Sequence, residues 1–167
     1  YILGNHEHYY GNYYETYDIL VKKLGHIPNL HILDQTYVDI DGFRFVGGTL
    51  WTDFDHDNLK ALIVKDSLND YHTVKGKDHR KLSTNETAFY HKQMLNFIDS
   101  MCSTDKDLIV VTHHLPSYKS VHKDYLSWPD SKYNPGYASH LDSFIADRSD
   151  KIKLWVHGHT HHSFDYN

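Results

Sequence analysis

Cysteine is nearly missing from this chain: Cys102 stands alone among 167 residues, so no intrachain disulfide can form. Nothing therefore argues for an oxidising compartment, and a cytoplasmic location is the expectation. No apolar run approaches the roughly 20 residues that a membrane-spanning helix needs, which excludes a membrane partner of that kind. Lys/Arg-rich runs are absent too. With a formal charge of -5, the balance weighs against a nucleic-acid partner. No repeats or low-complexity tracts occur. What remains is ordinary for one soluble globular domain over residues 1–167, with 40% hydrophobic and 23% charged residues.

The excesses are histidine and tyrosine, 16 and 14 residues. Most of the tyrosines are read as structural, building pocket walls and amphipathic surface. The histidines need a sharper test. Ile152, Leu154 and Val156 alternate with Lys153, Trp155 and His157, the period of a strand, and Gly158 then breaks it ahead of His159 and His161. Neutral imidazole is the commonest metal ligand, and a strand ending in a glycine turn can aim ring nitrogens into a cleft. In so His-rich a chain roughly one or two His-x-His triplets arise by chance, so the triplet requires partners elsewhere.

Two other segments repeat the arrangement. Gly4-Asn5-His6-Glu7 follows the apolar Tyr1-Ile2-Leu3. His113-His114 follows Leu108-Ile109-Val110-Val111-Thr112, an uninterrupted run of the kind a buried parallel strand shows. Three apolar runs thus end in Asn or His, and in open α/β sheets ligands gather at the carboxyl ends of strands.

Between these blocks, Tyr17, Leu20, Val21 and Leu24 predict a helix stopped by Gly25 and Pro28, and His31-Ile32-Leu33 reads as a short strand. Val38 and Ile40, Asp41-Gly42, then Phe43, Phe45 and Val46 predict a hairpin. It implies a second sheet or a mixed one. Trp51 reads as core. Leu59, Leu62 and Ile63 suggest a helix. Ser83-Thr84-Asn85-Glu86 is a capping box opening a helix that carries Met94, Leu95, Ile98, Met101 and Cys102 inward. A loop from Leu115 to about Pro135, bearing Tyr118, Tyr125, Trp128 and Tyr133, suits a substrate rim. Residues 135–147 read as a helix with Ala138, Leu141 and Ile145 inward.

The order GNHE, THH-x-P, GHTH resembles the calcineurin-like metallophosphoesterase family. The resemblance runs through Ser163-Phe164-Asp165 and implies a two-sheet αββα sandwich of mixed strands. It also implies a hydrolase that cleaves phosphate mono- or diesters with a metal-bridged hydroxide. By position, Asn5, His113 and His159 would bind one divalent ion and His161 a second, with Mn, Fe, Zn or Co all suited to such ligands. His6 would contact the phosphate and protonate the leaving group. Glu7 would orient a neighbour, and His114 and His157 would serve as outer or rim residues. The substrate would be a phosphorylated small molecule or a phosphoprotein.

The family's Asp-x-His and Gly-Asp blocks, which precede GNHE, have no counterpart here. Asp70-Tyr71-His72 matches the first only superficially, because no apolar strand precedes it and it follows the Asn-His block. Since the chain opens on Tyr1 at what reads as a strand tail, the expectation is the C-terminal portion of a metallophosphoesterase domain, impaired alone. The competing reading is a non-catalytic binding or scaffold module on the same fold.

Overall fold

A computed structural model describes residues 1–167. The chain forms a mixed α/β fold around one four-stranded sheet, in the order β1-β2-β3-β4. Strands β1 (Thr36–Ile40) and β2 (Phe43–Gly48) are the predicted hairpin. Its turn places Asp41 and Gly42 at φ of 50° and 87°, a conformation that glycine adopts without steric cost. Parallel pairing then joins β2 to β3 (Asp107–Thr112) and β3 to β4 (Ile152–His157). The hairpin is therefore the antiparallel edge of a mixed sheet.

The main core lies between this sheet and the helix α4 (Thr84–Cys102), where Val46, Leu108, Val110 and Ile152 meet Met94 and Ile98. The capping box at Ser83 and Glu86 forms as read. Cys102 packs half-buried against this core. Trp51 is buried with Tyr13, Val74 and Leu82 in a second cluster. Helix α1 (Tyr13–Leu24) starts earlier than its apolar stripe suggested, because the Asn12 side chain caps it by accepting from Tyr14 N–H. Helix α2 (Asn58–Ser67) forms, but Leu59 and Leu62 face solvent, and Val64 is its one buried residue. The single turn α3 (Asp70–Thr73) follows.

Two expectations change. His31-Ile32-Leu33 contributes only a bridge, Ile2 to Leu33, not a strand. The helix expected over residues 135–147 shrinks to α5 (Asp142–Ala146). Of its missing first half, residues 135 and 136 end a 3-10 helix (Asp130–Gly136), and residues 137–141 pair with the 115–116 segment: Leu115 N–H donates to Tyr137 O, Ser139 N–H to Leu115 O and Leu141 N–H to Pro116 O. A backbone paired with another segment cannot also close helical turns. Ala138 and Leu141 are nonetheless buried, as expected. No helix is long and apolar enough to cross a membrane.

Candidate metal and phosphate centre

Register brings the three histidine segments to one place. Gly48 pairs with Thr112, and Thr112 with His157, so β2, β3 and β4 end side by side. Pairing continues past the ends, through His114 N–H to Thr49 O and Gly158 N–H to His113 O. The Asn5 loop is tied to the same edge by Thr49 Oγ1, which donates to Leu3 O at 2.9 Å. Gly4 is required there: a Cβ on it would stand 2.7 Å from His113 Cε1. Glu7 steadies the loop by accepting from Gly4 N–H at 2.7 Å and Tyr1 OH at 2.9 Å. Burial raises the Glu7 carboxyl, but these bonds outweigh it and hold the group below its usual range.

Asn5 precedes a helical turn, His6–His8, where an asparagine side chain ordinarily caps; here it makes no cap bond. Instead its Oδ1 lies 2.9 Å from His113 Nε2. The same nitrogen lies 3.0 Å from His159 Nδ1. The ring of His159 is held by stacking on Tyr137 at 4.8 Å and by His114 at 4.4 Å. His159 and His161 both adopt left-handed backbone, φ 68° and 55°, strain of a kind that clusters at functional sites.

Proton counting shows how unusual this trio is. If His113 carries a proton on Nε2, Asn5 Oδ1 and His159 Nδ1 compete for it, and the remaining His159 Nε2–H is buried with no partner. If the proton sits on His159 Nδ1, Asn5 Oδ1 faces a bare lone pair on His113. With Oδ1 facing His113 Nε2, no tautomer satisfies all three atoms, whereas a cation among them would. Desolvation pushes His113 down to about 4 and His159 down to about 3, so both rings are neutral near pH 7 with lone pairs free. No group of three His, Cys, Asp or Glu side chains is placed to hold a metal. The three polar atoms that meet here are Asn5 Oδ1, His113 Nε2 and His159 Nδ1.

The trio lies in a cavity of about 660 Å³ that His6, His161 and Asp70 also line. His6 is exposed at the mouth, its ring 4.5 Å from that of Tyr9. His161 lines the cavity without hydrogen-bonding to the trio. Of the loop's aromatics, Tyr125 and Tyr133 form walls, joined by Tyr137 beyond the loop, whereas Tyr118 donates to the Asp55 carboxylate and Trp128 points into solvent. The other histidines separate cleanly. His114 is 1% exposed, lies 3.2 Å from Thr49 O through Nδ1 and packs on Trp51. His157 Nε2 lies 2.7 Å from Ser120 Oγ, and His162 stacks on His122 at the surface. His8 is buried, with neither ring nitrogen partnered.

Asp70 is the residue that sequence reasoning missed. Of the Asp70-Tyr71-His72 triplet only the aspartate enters the cavity; His72 is exposed, with Nε2 beside Asp66 O. Tyr71, packed with Phe54 and Val64, turns α3 so that Asp70 faces inward. No local pattern carries that placement.

Comparison with known proteins adds one relative. The chain is 28% identical over 182 aligned positions to an uncharacterized protein of Acanthamoeba polyphaga mimivirus, covering all of this chain and 63% of the viral protein. No family model matches, and no solved structure matches.

Proposed function

We propose that residues 1–167 carry a metal-dependent phosphoesterase centre of the calcineurin-like kind. The meeting of Asn5 Oδ1, His113 Nε2 and His159 Nδ1 carries this reading, since one proton cannot serve three such atoms. These residues would hold one divalent ion, and His161, on the same cavity, would contribute to a second. When bound, such ions lower the pKa of water and offset the charge of the phosphoryl oxygens.

The rest falls to the chain's own side chains. His6, exposed at the mouth, reaches a phosphate ester and passes a proton from its imidazole to the leaving-group oxygen. The tyrosine walls orient the alcohol portion and exclude water. In this proposal the four-stranded sheet is one layer of a two-sheet αββα sandwich. The chain spans 63% of the length of its viral relative. The metal-bridging aspartates that the family resemblance calls for have no counterpart among residues 1–167.

Calorimetric titration with Mn²⁺ tests the centre, and hydrolysis of para-nitrophenyl phosphate and its diester tests the chemistry. Wild type should bind Mn²⁺, and His113→Ala should abolish that binding; equal binding by both would overturn the site. Residues 1–167 alone should turn over either ester poorly, because repulsion between two cations lacks a bridging carboxylate. Robust turnover by them would contradict that mechanism. A longer chain that binds metal yet hydrolyses neither ester would favour the scaffold reading.

A further inference from the structure

The turn that carries His159 and His161 is thinly held. Gly158 and His161 are exposed, and both histidines keep a left-handed backbone, which persists only where surrounding bonds over-determine it. Those bonds converge on Ser120, a wholly buried residue whose next neighbours in the chain, Val121 and His122, line the cavity. Its Oγ lies 2.7 Å from His157 Nε2 and 2.7 Å from Tyr166 OH. Its carbonyl accepts from Thr160 Oγ1 at 3.2 Å. His157 in turn reaches forward, with Nδ1 3.2 Å from Gly158 O, the same oxygen that accepts from Thr160 N–H at 2.8 Å.

Unlike the trio, this chain of atoms can be satisfied in full. A carbonyl only accepts, so the Gly158 contact places the His157 proton on Nδ1 and leaves a lone pair on Nε2. Ser120 O–H donates to that lone pair, and Tyr166 O–H donates to Ser120 Oγ. One small residue thus grips the turn on both sides, at His157 before Gly158 and at Thr160 between the two histidines. We propose that Ser120 is a positioning residue: by its hydroxyl on His157 and its carbonyl on Thr160 it clamps the 158–161 turn, so that His159 meets His113 and His161 lines the cavity. It touches no reacting atom. The inference deepens the metal reading, and its metal arm rests on that reading. The clamp itself is present without metal.

Long-range ¹H–¹⁵N spectra of the metal-free protein read the His157 tautomer. Wild type should carry the proton on Nδ1. A proton on Nε2 would make Ser120 the acceptor and break the Gly158 contact, which overturns the inference without recourse to any variant. Ser120→Ala removes the hydroxyl and little volume. The amide–Hα couplings of His159 and His161, which report φ, should then leave their wild-type values as the turn relaxes. Folded Ser120→Ala with unchanged couplings would also overturn the inference. If Ser120→Ala does not fold, Thr160→Val, which removes only the bond to the Ser120 carbonyl, carries the same test with the same expected direction. Titration with Co²⁺ supplies the second arm. Residues that orient a ligand cost about 10–100-fold in metal affinity when replaced, so Ser120→Ala should bind Co²⁺ weaker by that factor. A merely structural serine would instead lower the melting temperature and leave both couplings and affinity alone. If wild type fails to bind Co²⁺ while the couplings shift, the metal reading falls and the positioning role stands. If wild type and Ser120→Ala bind Co²⁺ equally with one set of couplings, the positioning role falls and the metal reading stands.

Discussion

His113 and His114 are adjacent in sequence and opposite in circumstance. His114 is walled in by Trp51 and His159, and its Nδ1 has the carbonyl of Thr49. His113 faces the cavity and offers one nitrogen to two atoms that cannot both be satisfied by its proton. Burial depresses both rings, so burial does not distinguish them. What differs is the contact each ring makes: a backbone carbonyl for His114 Nδ1, and both an amide oxygen and a second imidazole for His113 Nε2. On the proposed reading, His114 is architecture and His113 is held for a ligand.

The largest expected effect falls on the cavity side. His159→Ala should abolish divalent-metal binding and every metal-dependent activity, read by calorimetry and by ester hydrolysis. Its ring also packs on Tyr137 and His114, so the metal-free melting temperature should fall too, by less than for the fully buried His114. A variant that keeps metal would erase the distinction between His113–His159 and the structural histidines.

His6 comes next and sharpens the division within the cavity. His6→Ala should leave metal content near normal. It should slow a phosphate ester with a basic leaving group by about 10²–10⁴ and an activated ester much less. Loss of metal, or equal slowing of both esters, would make His6 a ligand or a simple phosphate contact.

On the architectural side, His114→Ala should cost about 2–4 kcal/mol in denaturant unfolding, the usual range for emptying a packed site. A change in metal affinity with full stability would contradict its role. His162→Ala, at the surface, should stay within about 0.5 kcal/mol.

Acid should expose the shared burial. His8 and His113 are pushed down to about 4 and His159 to about 3, against an ordinary value of 6.5. Between those values the unfolded chain binds more protons than the folded one, so stability is full above pH 6.5 and declines as pH falls toward 4. Thermal melts across that window check the sign, and His159→Ala should make the decline shallower.

Much of this was legible beforehand, and the reasons it stops are physical. The hairpin at Asp41-Gly42, the capping box at Ser83-Glu86 and the gathering of Asn5, His113, His159 and His161 at one cavity follow from local pattern and strand order. Residues 137–141 defeated helical periodicity because Leu115 and Pro116 claim their backbone. Asp70 was set aside for want of a preceding strand, yet reaches the cavity through Tyr71 packing on Phe54 and Val64. Long-range packing of that kind leaves no periodic mark.

Anomalous diffraction from crystals soaked in Zn²⁺ is the most direct measurement of the central claim. The account predicts a peak among Asn5 Oδ1, His113 Nε2 and His159 Nδ1, at bond lengths of about 2.0–2.2 Å. A soaked crystal with no peak there, or with zinc only at the His122–His162 pair on the surface, would contradict it.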